Sequence, residues 1–495
     1  MKKDKAYELH HLVQSLTASE KKYIRRQLIK YEGETTKDLL LFDLLNHERE
    51  PETETVKKAY ENKGYQSDYL SADKNKLYED ILSVLSELNA NYSNEIKANE
   101  SLQKAIVLYE KKLFEQCLKQ LTKAKKMAET YELWGLMISL LHLEQRCHRV
   151  RFDFEKAKEA MGAESAVFER QQLLNTFAEI HYESISLRVK YSKARSNEQL
   201  TAFDNLVQRL DSIGKGNDFY TEFNRLETMC NYFYVKDDLE QDMRSNSSLN
   251  DLMQAHKWYI EDNPLNYIAV RTRLLGIQRR LSPQLFWKEL PNYRSLPKQV
   301  QKQKQAAEIN VFIFSNNFEL DQLLLENRWQ EAFELIEPME KGIEKYREQI
   351  DGNWLYSAVY RFACTSLFSA NYNKALDYIH KALNDFPESL RPDLYNAALM
   401  LQIIVHYEIG NYKLIPSLVS NARYHFKKSN RLYRTETLML NTLKRLSDLK
   451  KEPVATEKLF KELSVKLLKF RNDDFEKKAF SVFDFLEWLD FRSNA

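Results

Sequence analysis

Apolar residues recur at helical spacing along almost the whole chain, and the stretches between periodic segments are short. The clearest case is residues 354–387, WLYSAVYRFACTSLFSANYNKALDYIHKALNDFP. Val359, Phe362, Ala363 and Leu367 fall on one face of a first helix, with Ser366 beside them. Ala370-Asn371 makes a turn, and Ala375, Ile379 and Ala382 share a face of a second helix that stops before Pro387. Small residues at 363, 375 and 382 let two backbones approach closely, while Tyr372 and Ile379 fill the space between them.

The same second-helix template returns elsewhere. It reads Phe114, Cys117, Leu121, Ala124; then Phe154, Ala157, Met161, Glu164; then Trp329, Ala332, Ile336, Met339; and, more loosely, Tyr412, Ile415, Val419, Ala422. Cys117 and Ala157 are 40 residues apart, Ala332 and Ala375 are 43, and Tyr372 and Tyr412 are 40. The small residue of the first helix, the Tyr after the turn, the Ala ladder of the second helix and the closing Pro resemble the tetratricopeptide (TPR) repeat. The period here is near 40, and Ser366 stands where the family has a first-helix Tyr. The resemblance implies an all-α, right-handed TPR-like solenoid of stacked antiparallel helix pairs, each unit burying its apolar face against its neighbours.

Residues 1–93 follow a different spacing and read as a small N-terminal helical domain. Thr17 and Glu20 offer a capping box for a helix to about residue 31. Further helices are expected at 36–46, 52–62 and 69–91, separated by residues 33–36, by Glu50-Pro51 and by Gly64. Leu77, Ile81, Leu85 and Leu88 form the expected buried stripe of the last. Repeat blocks are expected over 94–240 and 241–495, with the acidic, then Ser/Asn-rich run 236–250 as the linker. Residues 473–493, DDFEKKAFSVFDFLEWLDFRS, read as an aromatic terminal helix. It either folds back under its neighbours or pairs with a partner or a second copy, since a free terminal repeat should be polar outside.

Composition agrees with this picture. Gly and Pro total 20 of 495 residues, about 4% against an average near 12%, too few turn residues for a compact β or α/β fold. The 60 aromatics exclude a disordered chain. Charge is balanced, 74 basic against 72 acidic residues, so no global field draws the chain to nucleic acid or membrane. The four cysteines have no metal spacing and read as buried small hydrophobes in a reducing compartment. The N-terminus is charged rather than signal-like, and the longest apolar tract, 133–141, is far below the roughly 18 residues of a membrane span. A cytoplasmic protein is expected, and the Lys/Asn/Tyr-rich style is bacterial.

No HExxH, P-loop, GxSxG, GxGxxG or zinc-ribbon spacing occurs, so no catalytic residue, metal or cofactor is expected. Gly214-Lys215-Gly216 reads as a turn. His142 and His148 lie about 240° apart around one helix, too far to chelate together. In the TPR family the first helix of each pair lines a groove that holds peptides. That resemblance implies groove positions at His142, Arg146 and Arg149, at Tyr360, Cys364, Leu367 and Phe368, and at Met400, Ile404 and Tyr407. The family's carboxylate clamp is not matched, because Tyr360 and Cys364 occupy its places.

Two basic runs interrupt the neutral average. Residues 265–305 include Arg271, Arg273, Arg279 and Arg280 in a net charge of +8, and 409–435 include Arg423, Lys427, Lys428 and Arg431 in a net +6. They are either solvated helix surface or a patch for an acidic peptide or a phosphate backbone. The leading expectation is a non-enzymatic scaffold that binds a protein or peptide. The repeats also resemble those of bacterial sensors in which a DNA-binding module precedes a peptide-sensing TPR array. Residues 1–100 carry 16 Lys/Arg against 19 Asp/Glu, which weighs against that alternative. A solenoid that binds nucleic acid through the two basic runs is the third reading.

Overall fold

The computed structural model describes residues 5–32, 36–47, 53–88, 93–214, 216, 218–449 and 452–494. Among these residues every regular element is helical and no strand occurs, as the scarcity of turn residues implied. The separators read at 33–35 and 50–51, and Lys215, lie outside the described residues.

One turn geometry recurs between helices. Lys112, Glu132, Phe152, Asn327, Ala370, Gly410 and Asn430 all take a left-handed φ, from 54° to 80°. In each case the N–H of the next residue donates to the carbonyl five positions back, as in Leu133 to Ala128 at 2.7 Å, Asn371 to Ser366 at 2.8 Å and Asn411 to His406 at 2.9 Å. This closure satisfies the last carbonyls of the outgoing helix. In six of the seven the following residue is aromatic and opens the next helical element: Phe114, Trp134, Phe154, Trp329, Tyr372 and Tyr412. A single Gly among the seven explains how so many turns coexist with so little glycine.

Two compact units divide the chain, Met1–Glu169 and Arg170–Ala495. The boundary falls inside the 38-residue helix Phe154–Tyr191. In the first unit, helices Lys5–Ser15, Ala18–Glu32, Lys37–His47, Thr53–Asn62 and Leu70–Leu88 surround a core that includes Leu9, Ile24, Phe42, Tyr60 and Ile81. The capping box forms as expected: Thr17 N–H donates to Glu20 Oε2 at 2.7 Å and Glu20 N–H to Thr17 Oγ1 at 3.3 Å. The buried stripe of the fifth helix is Leu70, Leu77, Ile81 and Val84, with Leu88 exposed. Asp73 receives Lys37 and Tyr60, and Lys76 reaches Asp38 at 3.0 Å. Burial raises the Asp73 pKa, but these bonds outweigh it and leave the carboxyl below its ordinary value. The helices Asn94–Glu110, Phe114–Thr130 and Trp134–Val150 and the first part of Phe154–Tyr191 also belong to this unit.

In the second unit the run 236–250 is not a linker. It enters the helix Leu239–Ala255, whose first turn is capped by Asp238. Asn246 is fully buried because its amide donates to the backbone and side chain of Asp242, at 2.9 and 2.7 Å. Small polar residues that bond one another locally pack inward without an apolar signature, even with Asn246 Oδ1 left without a partner, so hydropathy alone misreads the segment. The 354–387 stretch folds as expected, into helices Gly352–Phe368 and Tyr372–Asn384. Ala363, Ala375, Ile379 and Ala382 are all completely buried between them and their neighbours.

The terminal stretch is two short elements, a 3-10 turn Glu476–Ser481 and a helix Phe485–Asn494. Two aspartates cut it. Asp473 Oδ1 accepts the N–H groups of Phe475 and Glu476 at 3.0 Å each. Asp484 Oδ1 accepts those of Leu486 at 3.0 Å and Glu487 at 3.3 Å. A carboxylate that takes the free N–H groups of a first turn starts a new helix there.

Candidate functional site

The terminal segment lies on the helices Gly352–Phe368 and Pro392–Glu408. Phe483 stacks on Phe368 with centroids 5.9 Å apart, and Phe491 meets the same ring edge-on at 5.7 Å. Tyr360 donates its hydroxyl to the carbonyl of Val482 at 3.4 Å. Trp488 Nε1 donates to Glu408 Oε1 at 2.9 Å, and Arg492 pairs with Glu408 Oε2 at 2.7 Å while covering the ring of Tyr407. Tyr360, Phe368, Met400 and Tyr407, which the sequence placed in a groove, are each 3% exposed. Trp488 and Phe491 are equally buried within the one chain, so this helix folds back and leaves little of its apolar side for a second copy.

Where the segment begins, a buried charge cluster joins three parts of the second unit. Arg195, in the turn after Phe154–Tyr191, reaches Glu436 and Glu476 at 3.3 Å each and lies over the ring of Tyr433. Glu476 also accepts Thr435 N–H at 2.9 Å, Thr435 Oγ1 at 2.6 Å and Arg434 N–H at 3.3 Å. It thereby caps the helix Arg434–Asp448, where the dipole favours an anion. Glu436 is less well supported: its Oε2 is buried without a partner, and burial pushes its carboxyl up despite Arg195 and a bond to its own backbone. Lys478 donates to the carbonyl of Ala194, and burial pulls its ammonium down to about 8. Lys193 reaches the Tyr234 carbonyl at 2.6 Å and Asp237 at 2.9 Å, and Arg280 shares that carboxylate at 3.0 Å.

Beside this cluster opens a cavity of about 500 Å³. Its walls come from residues 190–199, the first turns of Pro392–Glu408, residues 426–436 and residues 478–485. Of the groove positions read from the sequence, Met400 lines it, and so does Arg431 of the second basic run. Sequence reasoning missed Arg195, Glu436, Glu476 and Lys478. They are 240 or more residues from Arg195 or from Ala194, and no spacing rule links a lone Arg in a turn to distant carboxylates.

The remaining predicted positions lie apart. His142, Arg146 and Arg149 share the exposed face of Trp134–Val150 in the first unit, with Arg146 over the Tyr109 ring. The arginines of the first basic run are engaged by acids: Arg273 with Glu227 through two bonds of 2.7 Å, Arg279 with Asp321 at 3.6 Å, Arg280 with Asp237, and Arg271 with Glu289 at 3.7 Å. In the second run Arg423 donates to Asn441 and Lys428 pairs with Glu388, while Lys427 is exposed. All four cysteines are buried free thiols, with Cys117 and Cys147 sulfurs 3.4 Å apart and burial raising both pKa values. Among the described residues no three potential metal ligands converge, and no helix is long and apolar enough to cross a membrane.

Compared with protein-family models, with curated proteins and with solved structures, the chain gives no match.

Proposed function

We propose that the chain is a non-enzymatic binding scaffold, a right-handed TPR-like repeat array whose first helices line a groove for a protein segment. In the state described, its own residues 473–494 occupy part of that groove. The observation that supports this reading is the set of contacts from Phe483, Phe491, Val482 and Arg492 onto Phe368, Tyr360 and Tyr407. An aromatic segment laid across the faces of successive helices is the geometry of helix-in-groove recognition. The nucleic-acid readings draw less support, because the arginines of the 265–305 run are paired internally.

The test loosens the resident segment and offers it again in trans. A full-length chain carrying Trp488→Ala and Phe491→Ala should bind a labelled peptide of residues 473–494, where the parent does not. Adding Phe368→Ala and Tyr407→Ala should abolish that binding. A loosened chain that keeps its helical circular dichroism yet binds no peptide would refute the groove.

A further inference from the structure

We propose that the 500 Å³ cavity is a binding site for a small carboxylate with an apolar body, either a free organic acid or the C-terminal residue of a peptide. The volume lies within the range of about 300–1,000 Å³ typical of ligand sites. Five cationic side chains line it, Lys190, Lys193, Arg195, Arg431 and Lys478, against the three carboxylates Glu198, Asp393 and Glu436. Most of these charges are already engaged. Asp237 holds Lys193, Glu436 and Glu476 hold Arg195, the Ala194 carbonyl takes Lys478, and Arg391 grips Asp393 with two bonds of 2.9 and 2.6 Å.

Among the described residues the exposed Lys190 and Glu198 have no ion pair, and neither does Arg431. Its half-buried guanidinium makes no hydrogen bond or ion pair among the described residues, and it helps hold the Asp393 carboxyl below its ordinary value. A guanidinium presents a planar fork that matches the two oxygens of a carboxylate. Burial disfavours the Lys478 ammonium, Asp237 partly offsets this, and Lys477, Lys193 and Arg195 add to it. Several polar side chains, Ser192 and Asn396 among them, share the rest of the wall with an apolar group, Ala397, Met400, Phe426, Val482, Phe483 and Phe485. Such a surface suits an aromatic or aliphatic body. Inorganic phosphate has no such body to bury against the apolar group and so gives up that part of the binding. Because the wall joins segments distant in sequence, an occupant binds the folded chain and not the unfolded one, and so raises its melting temperature. The proposal does not rest on the groove reading, but it needs residues 478–485 in place, because they form one wall.

The experiment titrates the full chain with N-acetylphenylalanine and with 3-phenylpropionate by calorimetry. One or both should bind, with the corresponding amides and inorganic phosphate at least tenfold weaker. Tighter binding of N-acetylphenylalanine identifies a peptide terminus, and tighter binding of 3-phenylpropionate a free acid. Arg431→Gln should weaken binding at least tenfold with an unchanged melting temperature, because Arg431 has no partner to lose. Ala397→Phe should fill the cavity and block binding with Arg431 still in place; if that variant melts early, Ser481→Phe serves instead. Failure of both carboxylates to bind the parent, equal binding of phosphate or the amides, or an Arg431→Gln chain that binds like the parent would each overturn the proposal.

Discussion

Arg195→Met tests how the second unit is held together. The substitution keeps an unbranched apolar stem over Tyr433 but removes the guanidinium between two carboxylates whose side chains are 12% and 7% exposed. Breaking a buried ion pair from one side costs about 3–5 kcal/mol, because the stranded charge stays desolvated. Glu476 keeps its three bonds to the start of Arg434–Asp448. The stranded charge is therefore mainly Glu436, and the lower end, about 3 kcal/mol, is expected. With a urea dependence of about 3 kcal/mol per molar, the midpoint should fall by roughly 1 M. The Glu436 carboxyl already sits above its ordinary range and must rise further without Arg195. A folded-state pKa above the unfolded one means that stability falls as pH rises through it. The defect should accordingly be larger at pH 8 than at pH 5, and Arg195→Met/Glu436→Gln should recover at least ~1 kcal/mol of it. Urea titrations followed by far-UV circular dichroism decide the matter. A single variant within 1 kcal/mol of the parent at pH 8, or a double variant no better than the single, would show that the cluster does not hold these segments together.

Three further outcomes follow from the same structure. Ala375→Asp places an unpaired carboxylate at a completely buried helix contact and should cost at least ~3 kcal/mol in urea unfolding; unchanged melting would mean that the 352–384 helix pair is misdescribed. Gly410 has φ 80° and nothing closer to an added Cβ than Tyr412 at 4.0 Å, so Gly410→Ala is opposed by backbone strain alone. Its cost, after the gain in chain stiffness, should be about 1 kcal/mol by denaturant titration. Burial, then Asp484, raises the Glu487 carboxyl to about 8. Its protonated form supports the fold at low pH, and that support is lost as pH rises from about 4.5 through 8. Glu487→Gln should leave the melting temperature alone at pH 4 and raise it at pH 9, and a difference that is flat with pH would contradict this.

The sequence by itself determined the helical class, much of the helix placement and several details of chemistry. Thr17 and Glu20 cap as a pair, Ala370-Asn371 turns, and Ala363, Ala375, Ile379 and Ala382 meet in the core. These features are legible because they depend on neighbours within one or two turns, where a 3.6-residue period and a capping residue suffice. Where local polar bonds replaced apolar periodicity, as at Asp242 and Asn246, the same reading turned a helix into a linker. It also joined 473–493 into one helix, because its aromatic stripe is continuous while the cuts come from Asp473 and Asp484. Only the tertiary structure decided that this segment covers Tyr360, Phe368 and Tyr407, that Arg195 meets Glu436 and Glu476, and that a cavity opens beside them. Those contacts span from 85 residues, Tyr407 to Arg492, to 281, Arg195 to Glu476, and nothing in a local pattern specifies which distant faces meet. That choice rests on the summed burial of whole helices and on which charges find partners once they are buried.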